Sequence, residues 1–248
     1  MRVVMMHRTS AKWEAGALPE PELIGKMGAL MGEMAQAGVV RGGEGLRASS
    51  LGVRLNFAGG KRTITPGPLT PGNELPAGFS IVNAKSLEEA IELGTRFAEI
   101  VGDVEIDIRP VNEPWDIGVM PKPAGLTTTR YMLQRKADRY TEAGTPPSPE
   151  KGAALGKLMG ELSQSGVLLA AEALQPSSKA VRLRYQSGER TLTDGPFTES
   201  KELIAGYCIV EVDRIEQAID WATRFAECIG DVELDIRPAL PSPVPQRA

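Results

Sequence analysis

Shifted by 128 positions, the 248-residue sequence lies on itself without a gap. Gly38 falls on Gly166, Gly67 on Gly195 and Arg109 on Arg237, and about half the residues of Met27–Val111 recur in Leu155–Ala239. Thr95-Arg96-Phe97-Ala98-Glu99 returns whole as Thr223-Arg224-Phe225-Ala226-Glu227. Solenoid units run to roughly 20–50 residues, so this period describes a duplicated domain and not a repeat array. The layout expected is copy one over 1–111, a linker over 112–128, copy two over 129–240 and a disordered tail over 241–248. The linker carries Pro114, Gly118, Pro121, Pro123 and Gly125, a stiff and semi-extended composition. Its Trp115 is expected to pack on one of the copies.

Within a copy the apolar spacing alternates between the two regular periods. Arg2–Arg8 and Arg130–Lys136 read as first strands, each followed by a loop carrying Glu-Ala-Gly. Ser148-Pro149-Glu150 starts a helix: a hydroxyl cap, a proline at the first position and an acid at the positive dipole end. Leu155, Leu158, Met159 and Leu162 then mark a helical stripe that stops at Gly166. Val181–Tyr185 alternates strictly, turns at Ser187-Gly188 and returns through Arg190–Thr193 as a hairpin. Ala205–Val212 is a further strand. Asp213 and Glu216 read as the capped start of a second helix lined by Ile215, Ala218, Ile219, Ala222 and Phe225. Glu233–Arg237 closes the unit.

The order β-α-β-hairpin-β-α-β predicts an α+β fold of two tandem ferredoxin-like domains, each with its helices on one face of an antiparallel sheet. A sheet covered on one side needs a partner for the other. Two such sheets packed face to face supply it, giving a dimeric α/β-barrel type of arrangement. Because the linker holds both copies together, the expected result is an internal pseudo-dimer. Whether two chains pair further is left open.

Composition excludes several classes. Hydrophobic residues make up 42% and charged residues 24%, the balance of a globular chain. The net charge of −4, with scattered Lys and Arg, lacks the basic footprint of nucleic-acid binding. No apolar run reaches the ~20 residues of a membrane span, and the apolar core of Met1–Arg8 is short for a signal peptide. Cys208 and Cys228, the only cysteines, form neither a disulfide framework nor a metal motif. A cytoplasmic protein without metal or cofactor is expected.

Thr193-Asp194-Gly195-Pro196-Phe197-Thr198-Glu199-Ser200-Lys201-Glu202 resembles the signature of the DGPF branch of the YCII-related family. Ala171–Ser177, Ala205-Gly206-Tyr207 and Asp235-Ile236-Arg237-Pro238 are similar to that branch as well. The resemblance implies the dimeric α/β barrel. It also brings a His–Asp pair that some members carry, proposed for acid/base chemistry in a pocket between sheet and helix. Only half of that pair maps here. Asp194 matches the aspartate, no histidine lies near the first helix of either copy, and the sole histidine, His7, ends the first strand opposite Arg135.

The candidate catalytic residues are therefore Asp194 and Glu172. Asp194, before Gly195-Pro196, is either a general base or the cap of a turn. Its counterpart is Pro66, so copy one has no such carboxylate. Glu172 and Glu44 follow the second strands and become proton acceptors if burial raises their pKa. Lys136 and Arg8 end the first strands and suit an anionic group. His7 is the one side chain that ordinarily titrates near neutral pH. Tyr207 completes the ligand-binding set, with packing as its other reading. Two functions stay open. One is an acid/base enzyme of lyase, isomerase or hydrolase type acting on an unidentified small molecule, with one site per chain in copy two. The other is a non-catalytic binding or accessory protein.

Overall fold

The computed structural model describes residues 1–197 and 200–241. Thr198 and Glu199 of the loop signature, and the expected tail from residue 242 on, lie outside the described residues. Copy one runs β1 (Arg2–Arg8), a single helical turn α1 (Ala11–Glu14), α2 (Pro21–Gln36), β2 (Val40–Gly45), β3 (Val53–Ala58), β4 (Lys61–Pro66), β5 (Pro76–Ala84), α3 (Leu87–Val101) and β6 (Val104–Pro110). Copy two repeats the order as β7 (Thr129–Lys136), α4 (Arg139–Glu142), α5 (Pro149–Gln164), β8 (Leu168–Ala173), β9 (Val181–Gln186), β10 (Glu189–Asp194), β11 (Ile204–Glu211), α6 (Ile215–Ile229) and β12 (Val232–Pro238). The turns α1 and α4 occupy the stretches read from sequence as loop. Ser148 caps α5 through the Lys151 N–H, as its sequence predicts. At α6 the cap position is Arg214, where α3 has the capping Ser86, and no side chain caps it; the Asp213 N–H donates to the Gln217 side chain one turn on.

All pairings are antiparallel, and they join the copies in an unexpected way. One sheet has the order β10-β9-β12-β1-β11-β2 and the other β4-β3-β6-β7-β5-β8. Each copy was expected to build its own sheet. Instead β1 and β2 join the later strands of copy two, and β7 and β8 join those of copy one. Met5 faces Cys208 on one side and Ile236 on the other. The β2–β3 connection explains the exchange. Leu46 bridges to Val111 at the end of β6, and the Arg47 N–H donates to the Pro110 carbonyl. That leaves the chain beside β6, where β3 then pairs. Reaching the far side of its own sheet would mean crossing four strand spacings, about 19 Å, in a short connection that includes a 3-10 turn.

The period-2 alternation serves two cores. Val3 and Met5 turn toward α2 and α6, where they meet Leu30, Met34, Ala218, Ala222 and Ala226. The alanines recur every fourth residue and are fully buried, so the helix sits close on the sheet. Val4 and Met6 turn the other way into a core shared by the two sheets, with Phe79, Ile81, Met132, Tyr207 and Ile209. The rings of Phe79 and Tyr207 lie 4.4 Å apart there. The linker begins firmly attached: Glu113 is buried against Arg130, and Trp115 is half-buried. Among the described residues no helix is long and apolar enough to cross a membrane.

Each hairpin folds back onto a 3-10 turn of its own copy through a Gly-Pro pair. A Cβ on Gly195 would stand 1.8 Å from the Ser177 carbonyl oxygen, and one on Gly67 1.9 Å from that of Ser49. Gly195→Ala is predicted to destabilise the protein by about 4 kcal/mol or more, since backbone must move to admit the methyl. Gly160→Ala, inside α5 with open space around it, should instead stabilise by roughly 0.5–1 kcal/mol. Urea melts of the two variants check both signs.

Candidate functional site

The loops around the two Gly-Pro pairs rest on a repeated polar frame that the sequence reading passed over. Ser177 is fully buried, and its hydroxyl accepts from the Phe197 N–H while donating to Glu142. Arg237 then links Glu142 to the carbonyls of Gln175 and Pro76. In the other half Ser49 accepts from Leu69, Glu14 accepts from the Ser49 N–H, and Arg109 joins Glu14 to the carbonyls of Arg47 and Ile204. Arg109 and Arg237 thus tie each copy to the other. Their identity in both copies was the available signal.

This frame decides the role of Asp194. The turn is held by Ser177, whose hydroxyl is already under the loop. Asp194 itself is exposed at the end of the edge strand β10, and among the described residues its side chain makes no hydrogen bond. The expected turn-cap role falls to the serine. Glu172 lies in the other sheet, on its opposite edge strand β8, fully buried and ion-paired with Arg2. The two proposed catalytic carboxylates therefore do not face each other.

The remaining candidates fall into three groups. Glu44 is ion-paired with Arg130, which Glu113 also holds; burial still raises its pKa. Tyr207 packs against Phe79 at the centre of the inter-sheet core, where burial and then the Glu44 carboxylate push its hydroxyl up. Lys136 is buried against Glu74 and Asp107, and Arg54 binds the same two acids. Burial and the guanidiniums of Arg54 and Arg8 press the Lys136 pKa down. Cys208 is a small buried hydrophobe of the helix-side core, its thiol pushed up to about 12 by burial.

Half-buried His7 and Arg8, buried against Asp235, form the third group. A cavity of about 910 Å³ lies between the end of β1, the start of α2, the end of α6 and the strands β9 and β12. Its walls include His7, Arg8, Trp13, Leu23, Tyr185 and Cys228. The exchange of strands makes this site, since both copies contribute to its walls. The Phe225 ring lies against the His7 ring with centroids 5.1 Å apart and the planes tilted by 52°. Among the described residues neither ring nitrogen has a hydrogen-bond partner. Burial, helped by the neighbouring Arg8, lowers the His7 pKa to about 4, so the imidazole is neutral at physiological pH. Gly206 lets the ring sit where it does, since a Cβ there would stand 2.7 Å from the imidazole.

The repeat-related place in the other half is built differently. Arg135 stands where His7 does and is bound to Asp138. Lys151 replaces Leu23, and its ammonium spans the gap from α5 to the Val101 carbonyl at the end of α3. Among the described residues no group of three or more His, Cys, Asp or Glu side chains is placed to hold a metal ion.

Comparison with known proteins agrees with the motif in copy two. Residues 129–228 match the model of the YCII-related domain. An uncharacterized protein of Rhizobium meliloti (strain 1021) is 34% identical over 59 residues, which is 24% of this chain and 48% of that protein. The match thus spans about half the length of that relative. The chain is thus similar to the YCII-related domain over residues 129–228, within an α+β structure of two antiparallel sheets.

The depressed His7 pKa makes stability depend on pH. The ordinary value of 6.5 applies to the unfolded chain and about 4 to the folded one. The unfolded state therefore takes up the proton first, and stability falls as pH drops from about 6.5 to 4. The full loss is on the order of 3 kcal/mol. His7→Gln cannot titrate and is predicted to flatten this limb of a Tm-against-pH profile. An unchanged slope between pH 6.5 and 4.5 would show that His7 is not buried as described.

Proposed function

We propose that the chain is a small-molecule-binding protein and that its ligand occupies the cavity walled by His7, Arg8 and Trp13. One observation carries this reading: a neutral imidazole, unpartnered among the described residues, faces open space beside a buried guanidinium. His7 is half-buried, and its ring nitrogens are not enclosed by the protein. A polar ring left without a partner in a concave, partly apolar site is what a ligand would complete. The volume supports the reading, since small-molecule sites occupy roughly 300–1,000 Å³.

Binding fits the site better than proton-transfer catalysis. A general base works best with a pKa near the working pH, and a histidine near 4 is a weak one. A neutral imidazole can instead donate through one nitrogen and accept through the other, orienting a ligand without taking its proton. The dispersal of Asp194 and Glu172 over different sheets supports the same preference.

Leu23→Trp, at the cavity wall, tests the proposal. In a thermal-shift screen of metabolites a true ligand raises stability by about 2.7 kcal/mol at 100-fold over its Kd. Wild-type hits should vanish in Leu23→Trp while its own melting stays within a few degrees of wild type. Hits that persist unchanged would place the ligand elsewhere and sink the assignment.

A further inference from the structure

We infer that the cavity selects ligands bearing a primary ammonium, seated at the C-terminal end of α6. This deepens the binding proposal above and rests on it. The repeat-equivalent place in the other half has the same seat with a lysine ammonium already in it.

Helices α3 and α6 end alike. The last carbonyls of a helix have no partner within it, and they form the negative end of its dipole. Gly102 and Gly230 follow the two helices. One position further, Asp103 accepts from the Gly59 N–H at 2.9 Å and Asp231 from the Ser187 N–H at 2.8 Å. A carboxylate is thereby fixed two residues beyond each terminal carbonyl. At Val101 the Lys151 ammonium meets this negative corner, donating to the carbonyl at 2.7 Å. Lys151 is the third residue of α5, where a cation opposes the dipole of its own helix. The contact across the gap to α3 is what favours it there.

At Ile229 the corner is open. Leu23 stands in place of Lys151 and carries no donor. Among the described residues no backbone or side-chain group donates to the Ile229 carbonyl. A Cβ on Gly102 would stand 3.6 Å from the Lys151 ammonium, whereas one on Gly230 would meet nothing within 4 Å. The two lysines of the cavity wall are engaged elsewhere. Lys26 pairs with Glu22 at 2.7 Å, and Lys12 faces Glu20 at 3.9 Å and lies over the Trp13 ring. Leu23, Cys228, Ile229 and Asp231 all line the cavity, so the corner is reached from it. Trp13 and Tyr185 add aromatic rings to the same walls, and aromatic faces attract cations. A ligand ammonium would bring the donor that Leu23 lacks and a counter-charge for Asp231.

Titration calorimetry of the full chain at pH 7 with amine–alcohol pairs of matched shape, benzylamine with benzyl alcohol and butylamine with butanol, reads this directly. At least one amine should bind ten-fold or more tightly than its alcohol. Leu23→Lys copies the other half and fills the seat from within, so it should abolish that preference. Leu18→Lys adds the same charge at an exposed position outside the cavity walls and should leave the preference intact. Circular dichroism reports whether Leu23→Lys folds. Asp231→Asn keeps an acceptor for the Ser187 N–H and removes the charge, and it should weaken amine binding several-fold. Equal binding of amines and alcohols overturns the inference, as does an equal loss in Leu18→Lys and Leu23→Lys. A preference unchanged in folded Leu23→Lys overturns it too; if that variant does not fold, a preference unchanged in Asp231→Asn does so in its place. No amine binding at all also overturns it, while neutral screening hits lost in Leu23→Trp would leave the cavity assignment standing. Amine binding unaffected by Leu23→Trp would remove both.

Discussion

The structure depends on burying both faces of two sheets at once. Helices α2 and α6, or α3 and α5, cover one face of a sheet. The other face is finished only when the two sheets meet over Val4, Met6, Phe79, Ile81, Met132, Tyr207 and Ile209. A strand such as β1 is therefore apolar on both sides, and it occupies the middle of its sheet. Each sheet is incomplete without strands from both copies, so the chain folds as one interlocked object joined by the short hops from β2 to β3 and from β8 to β9. Arg109 and Arg237 reinforce the interlock, each bonding carbonyls of both copies from a buried position.

Buried charge is the second organising feature. Arg8, Arg109, Arg237, Lys136, Asp107, Asp235, Glu74 and Glu172 are all nearly inaccessible. Isolated burial of any of them would be prohibitive, and each is tolerated through at least one opposite charge in contact. Such networks define geometry more than they add stability. They hold the loops at the sheet ends in place and leave few groups to spare. His7 differs from these groups as a half-buried ring at the wall of a cavity, without a hydrogen-bond partner among the described residues.

The two halves of the sequence agree in the polar frame and differ at the cavity wall. The polar frame is identical in both copies: Ser49 and Ser177, Glu14 and Glu142, Arg54 and Arg182, Arg109 and Arg237. The cavity wall differs: His7 against Arg135, Trp13 against Thr141, Leu23 against Lys151, Cys228 against Ile100. Lys151 and the Arg135–Asp138 pair occupy one half where the other stays open. One chain thus keeps one scaffold twice and varies what lines it.

The sequence by itself determined the strands, the long helices and the two-fold repeat, because these follow from local apolar periodicity and from residue identity at a fixed offset. The face-to-face packing of sheets was legible too, since strands apolar on both sides need two partners. The strand exchange was not. The copies are about half identical, so β1 fits beside the later strands of either copy, and only the spatial path of Leu46–Gly52 decides between them. The site escaped for the same reason. Its walls come from the start of one copy and the end of the other, so reading either copy alone could not assemble it. Asp194 drew attention through its motif, yet a buried serine holds the loop and leaves that aspartate in solvent. His7 looked ordinary at the end of a strand. Its contact with Phe225, more than two hundred positions away, and its place on a cavity wall built from both copies are brought about only by the tertiary structure.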